Sequence, residues 1–349
     1  MSDQKKLHPI RVHLERGTRV VACGMPPFMA RMEADSWHTT KWLRALSSRA
    51  TARHPMRFRL RKAGCYAISS RCYHSDPAPT PSLSHSIARM LIRKTPRHAR
   101  HAHPRLTLQP PPPDSRTWAK DRGTVLHKLI LGEGEQFSAV KADAWTTKDA
   151  RHQRDEARAA GRIPVLAHQL NDLEICAREV LAQMRDIPAC ADFFAPGRSE
   201  VTMMWRTAGF WCRSLVDRLP NRPGAALFDL KSTGISAAPD EYSRTIERDY
   251  ATQAAFYLRG ASTLFGVPPA TFRFVVFETD APYAVSIFEP DETLLEIAEV
   301  EIRKAFRLWA RGLKMNDWPG YPIEPHRVVP SVAAMIRSEE AKLQWSNAA

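Results

Sequence analysis

Between Gly123 and Leu313 the apolar residues fall into runs whose spacing switches between the helical and the strand period. Gly123 to Leu131 reads as the apolar start of a helix, and Lys148 to Gly161 as a charged helix face. From Ile163 to Met184, the residues Val165, Leu166, Leu170, Leu173, Ala177, Val180 and Leu181 recur at helical spacing, which predicts an amphipathic helix. Three strands are predicted after the breaks at Pro188 and Pro196. Glu200–Arg206 and Phe210–Leu219 are separated by the hairpin loop Thr207-Ala208-Gly209, and Ala225–Lys231 lies past the turn signal Asn221-Arg222-Pro223-Gly224. A helix over Thr245–Leu264 carries Tyr250, Ala254, Tyr257 and Leu258 on one face. Phe272–Glu278 and Ala284–Phe288 make a second hairpin, and Asp291–Leu313 a long amphipathic helix. The order α, β-β-β, α, β-β, α predicts an α/β fold with a mixed β-sheet flanked by helices.

The flanks are less regular. Residues 1–72 show no sustained period and read as a basic N-terminal extension, with a short helix over Ser36–Ala50 built on Trp37, Trp42, Leu43 and Leu46. Pro77, Pro79 and Pro81 keep the next stretch extended, after which Ser82 or Ser84 can cap a short helix through Ile92. Pro110–Pro113, within Gln109–Asp114, form a stiff linker inside the entry to the main domain, 73–330. Residues 331–349 are left as a C-terminal tail.

Charge sharpens this division. Of the net +14, residues 1–120 supply 23 Lys and Arg against 6 Asp and Glu, whereas residues 121–349 hold 28 against 31. A basic arm of this kind binds phosphates by counterion release, but a solvated tail has the same composition, and both readings stay open. No apolar stretch approaches the ~20 residues needed to cross a bilayer, and no secretory pattern opens the chain. Cys23, Cys65, Cys72, Cys176, Cys190 and Cys212 form no C-x-x-C pair or zinc spacing, so a reduced cytoplasmic protein with inert thiols is expected.

The chemistry concentrates around Asp229-Leu230-Lys231. Charged residues seldom sit within apolar strands unless something pairs them. Asp229 and Lys231, two apart on a strand, point to one face. Asp217 lies in the preceding strand and Glu200 opens the one before it. With strands ~4.8 Å apart, three carboxylates and an ammonium can converge, and a divalent cation relieves their repulsion. Mg²⁺ suits carboxylate oxygens, and a pair of such ions ~4 Å apart can activate water for phosphodiester hydrolysis. The Lys ammonium can then offset developing charge. An ordinary Asp–Lys pair at a strand end is the alternative for D-x-K taken alone.

Further matches in the correct order carry a resemblance to the PD-(D/E)XK nuclease superfamily, and within it to the exonuclease VIII (RecE-type) branch. They are Gly123-Thr124-Val125-Leu126-His127, Glu200, Asp217 with Asp229-Leu230-Lys231-Ser232-Thr233, and Tyr250-x-x-Gln253-x-x-x-Tyr257. Tyr73–Arg105 and Trp318-Pro319-Gly320-Tyr321 resemble the family's entry and C-terminal edge, which extends the resemblance over about 250 residues. The resemblance implies that Asp217, Asp229 and the Leu230 carbonyl hold metal, with His127 completing the coordination. It implies that Glu200 binds metal or a metal-bound water, that Lys231 orients the nucleophilic water, and that Gln253 and Tyr257 position Lys231 or the scissile phosphate. The cofactor implied is Mg²⁺, with Mn²⁺ as a substitute, as two ions. The activity implied is 5′→3′ exonuclease action on duplex DNA ends, by a homo-oligomer with a single-strand-annealing partner in recombination. The related branch with an iron–sulfur cluster needs three cysteines after the core, and none follows Cys212.

Two other functions remain open at this point. A non-catalytic nucleic-acid binder would use the basic N-terminal third, although carboxylates facing phosphates would gain it nothing. A RecB-like or restriction-type endonuclease would share the metal site.

Overall fold

Alternating large apolar residues over Gly197–Thr207 and Phe210–Pro220 build the longest hairpin among the described residues, joined by a two-residue turn at Ala208-Gly209. Both turn residues have positive φ, 47° and 84°, the twist that suits a tight hairpin. The computed structural model describes residues 59–107 and 117–348, so the Ser36–Ala50 helix and the Gln109–Asp114 linker lie outside the described residues.

The strands are β1 (Gly64–Tyr66), β2 (Ser82–Ser84), β3 (Phe137–Val140), β4 (Ile163–Leu166), β5 (Gly197–Thr207), β6 (Phe210–Pro220), β7 (Leu227–Thr233), β8 (Phe272–Glu278) and β9 (Val285–Phe288). The helices before the main hairpin are α1 (Ser70–His74), α2 (His85–Arg93), α3 (Pro96–Ala102), α4 (Trp118–Leu131), α5 (Lys148–Ala159), α6 (Ala167–Asp186) and α7 (Ala191–Phe194). After it come α8 (Pro239–Thr245), α9 (Ala251–Phe265), α10 (Glu292–Met315) and α11 (Val332–Ala348). Among the described residues, seven strands form one mixed sheet in the order β1-β5-β6-β7-β8-β9, with β2 beside β6, while β3 and β4 pair separately.

The sheet forks at β6. Its outer edge pairs in parallel with β2 at Trp211–Arg213 and antiparallel with β7 at Arg218, so Ser214–Asp217 lie between two partners. One face of the sheet, including Leu227, Phe272, Phe274 and Val276, packs on α2, α9 and α10. The other, including Phe228, Leu230, Val275 and Phe277, packs on α4 and α6. The two cores are therefore separated by the β7–β8 pair that carries the D-x-K residues.

Several elements differ from the sequence expectation. The apolar run at Ile163–Leu166 is a buried strand, and the helix begins only at Ala167. β5 starts three residues earlier than expected, so Glu200 lies inside the strand. The expected Thr245–Leu264 helix is interrupted, because α8 runs through a π-helical turn at Ile246–Tyr250 before α9 begins. Gly64–Tyr66, assigned to the N-terminal extension, is a sheet strand against β5, and Leu60, Cys65, Tyr66 and Cys72 are buried. Three-residue strands are too short to show a period. The tail at 331–349 contains α11. Ser84 does cap α2, accepting from the Ile87 amide, and Asp291 caps α10. The five cysteines among the described residues are buried. No helix of the described residues is long and apolar enough to cross a membrane.

Packing between α9 and β5 is close. A Cβ on Gly260 would come within 2.8 Å of the fully buried Trp205 ring. Gly260→Ala should cost ~1–3 kcal/mol through overpacking, read as a lower urea midpoint at unchanged slope.

Candidate active site

The Asp217 carboxylate occupies the fork. The hairpin register runs Ser199↔Arg218 and Val201↔Val216, which sets Glu200 across from Asp217. Glu200 has φ 52°, a conformation costing ~1–3 kcal/mol for a non-glycine residue and typical of functional positions. Gly134, itself at φ 123°, faces the Glu200 side chain closely enough that an added Cβ would touch it at 3.7 Å.

On the α4 side, His127 Nδ1 lies 3.5 Å from Asp217 Oδ2, and its ring hydrogen-bonds to the Leu230 backbone. The Leu230 amide donates to Asp217 Oδ2 at 2.7 Å. Leu230 thus ties His127 and Asp217 together through its main chain. One ligand atom each from His127, Glu200 and Asp217 lies within 4.8 Å of the others.

Asp229 sits outside that trio with both oxygens engaged. Oδ2 pairs with the Lys231 ammonium, and Oδ1 accepts from Gln253 Nε2 at 2.6 Å. Gln253 therefore contacts Asp229 rather than Lys231. The Lys231 ammonium lies 4.7 Å from the Tyr250 ring centroid and 5.8 Å from that of Phe274, an aromatic seat that fixes its position. Tyr257 is buried, packs edge-on against Phe272 and hydrogen-bonds to the Leu215 backbone, so α9 reaches the stretch of β6 that lies between its pairings with β2 and β7. Its hydroxyl is thus committed within the protein.

Electrostatics shows a site overloaded with negative charge. Burial, then the Asp229 and Glu200 charges, push the Asp217 carboxyl well above its ordinary range. Burial, then Asp229, Glu135 and Glu133, raise Glu200 to about 7. Burial lowers His127 to about 4, leaving the neutral imidazole that a metal requires. Burial opposes the charge on Lys231, but Asp229 and Asp217 outweigh it and the net shift is upward. One imidazole and two crowded carboxylates fit a hard divalent cation, which would supply the charge they lack.

His85 was not picked out from the sequence. Its Nε2 lies 3.0 Å from Thr252 Oγ1, its ring is 6.5 Å from that of Tyr257, and burial, then the Lys231 charge, lower it to about 3. Nothing in the local periodicity marks it, since only the chain reversal through β2 brings it to α9.

A family model described as a PDDEXK-like domain of unknown function (DUF3799) matches residues 118–324. Among solved structures, a candidate exonuclease of Eubacterium rectale aligns at TM-score 0.46 and 12% identity, over 74% of this chain and 92% of its own. An alkaline exonuclease of Laribacter hongkongensis aligns at TM-score 0.24 and 16% identity, over 57% and 94%. Its complex with dAMP aligns at TM-score 0.25 and 12% identity, over 68% and 92%. No curated protein matches the chain.

Proposed function

Because this chain belongs to the PDDEXK-like domain family DUF3799, we propose that it is a divalent-cation-dependent nuclease acting as an exonuclease on linear duplex DNA. The observation that carries this reading is the trio of His127, Glu200 and Asp217 beside the Asp229–Lys231 pair. His127, Glu200 and Asp217 would hold the cation, Mg²⁺ or Mn²⁺, with Asp229 and the Leu230 carbonyl adjoining. A cation bound there supplies Lewis acidity toward a phosphodiester oxygen and lowers the pKa of water. Lys231 offers a fixed positive charge where negative charge builds in the transition state. Gln253 holds Asp229 in the orientation that keeps Lys231 in place.

Exonuclease action, 5′→3′ polarity, end resection in recombination, a homo-oligomeric state and a single-strand-annealing partner follow from the motif resemblance to the exonuclease VIII branch. The deciding assay is degradation of end-labelled linear duplex beside covalently closed circles, with an Asp217→Asn variant. Digestion of linear DNA alone, lost in the variant, is the expected result. Cleavage of circles would make it an endonuclease, and binding without cleavage in Mg²⁺ or Mn²⁺ would leave only a binding role.

Cation binding should depend steeply on pH. Glu200, raised from 4.5 to about 7, contributes stability that is fully present below pH 4.5 and is lost as pH rises through 7. His127, lowered from 6.5 to about 4, acts oppositely, its contribution being lost as pH falls from 6.5 through 4. For the cation only the carboxylate protons compete near neutrality. Mn²⁺ should therefore raise the melting temperature more at pH 8.5 than at pH 6, and an equal rise at both would refute the assignment of Glu200 as a ligand.

A further inference from the structure

A cleft of about 1230 Å³ adjoins Glu200. One wall is the β1–α1 turn, Ala67–Arg71, together with the start of β5, and the other is the α4–β3 loop with the α5–β4 turn. Its acids are Glu133 and Glu135, which raise the proton affinity of Glu200, then Glu200 itself and the buried Asp121. Arg71, Arg158 and Arg162 also line it, exposed and with no ion-pair partner among the described residues. Exposed arginines gathered from two walls around one cleft and held in no ion pair of their own offer positive charge that a polyanion can satisfy.

We propose that this cleft holds a single nucleic-acid strand and delivers its phosphodiester backbone to the carboxylate site. The inference rests on the nuclease reading of that site and names the form of substrate it takes. The size fits a strand: the volume is slightly above the ~300–1,000 Å³ of small-molecule pockets, room for a few linked nucleotides. Its lining also indicates how the strand is held. Among the described residues no Phe, Tyr or Trp lines the cleft, so bases find no stacking platform there, and the arginines engage phosphates. Recognition is therefore indifferent to sequence and strongly salt-dependent.

The test is fluorescence anisotropy with the full chain in EDTA, using a labelled single-stranded oligonucleotide and a blunt duplex of the same sequence. The variant Arg71→Glu/Arg158→Glu/Arg162→Glu should bind the single strand at least ~10-fold more weakly, with a salt slope smaller by about 2, at about 0.7 per lost phosphate contact. Replacing the same three residues by Lys should restore most of the affinity, which separates charge from folding. Unchanged single-strand affinity and slope in the Glu variant, or an equal loss for duplex, would overturn the proposal. A chain that binds in this way but cleaves nothing would defeat the nuclease reading and leave the cleft assignment standing.

Discussion

Lys231→Met should lower metal-dependent DNA hydrolysis by ~10²–10³-fold, the loss typical when one preorganised charge-stabilising group is removed. The side chain is set for such a role before substrate arrives. Its ammonium is paired to Asp229, seated between the Tyr250 and Phe274 rings, and held charged by two carboxylates. Gln253 remains on Asp229 in the variant, so that carboxylate keeps one partner. Lys231→Arg serves as the control. It retains the charge but replaces a compact ammonium with a planar fork too wide for the aromatic seat, and it should be impaired yet folded. Initial rates at saturating DNA, compared at equal folded fraction by circular dichroism, provide the check. A rate within about fivefold of the parent for Lys231→Met would make Lys231 only a structural partner of Asp229, since mutational losses of a charge-stabilising group run far larger.

The second large effect lies away from the chemistry. Asp76 is fully buried with its carboxylate shared among Ser82, Arg213, His103 and Arg105. Arg213, on β6, also donates to the Ser82 carbonyl at 2.6 Å and stacks over Tyr73. This cluster fastens β2 to β6 and so holds one side of the fork. Burial alone would raise the Asp76 pKa, but the His103, Arg213 and Ser82 contacts outweigh it and hold the group below its ordinary value. Asp76→Ala removes the carboxylate and leaves Arg213 buried without its anion, which should cost ~3–5 kcal/mol. Urea denaturation monitored by tryptophan fluorescence would measure it. A loss under about 1 kcal/mol would mean that Arg213 finds compensation elsewhere, since a buried charge stripped of its partner costs far more. The wild-type contribution is present above pH 3.8 and is lost as pH falls through the lowered value.

Much of the site was readable because strand geometry is simple. Period-two spacing put Asp229 and Lys231 on one face, and the hairpin signal joined the strands that carry Glu200 and Asp217, but the expected three-residue loop Thr207-Ala208-Gly209 is one residue too long, and only the observed Thr207↔Phe210 pairing sets Glu200 opposite Asp217. Asp217, Glu200 and His127 are gathered by the structure, whereas Asp229 is taken up by Lys231 and Gln253. Side-chain competition of that kind has no trace in spacing. β1 and β2 escaped detection because a three-residue strand offers at most two same-face positions. Ile163–Leu166 fits both a strand and the first turn of a helix, and the parallel pairing with β3 decides between them. The positive φ of Glu200 is a tertiary outcome, since the residue type itself disfavours it.

The π turn at Ile246–Tyr250 bears on how this chain can vary. A helix advances about 100° per residue, so the one extra residue of a π turn sets the phase of everything after it. Gln253 reaches Asp229 and Tyr257 reaches Leu215 only in that phase. Glu247 and Arg248 are exposed, and replacing them leaves the phase unchanged. Deleting either residue would give a more regular helix and swing Gln253 away from the strands. For descendants of this sequence, the insertion count in that turn is thus a tighter constraint than the identity of the residues that fill it.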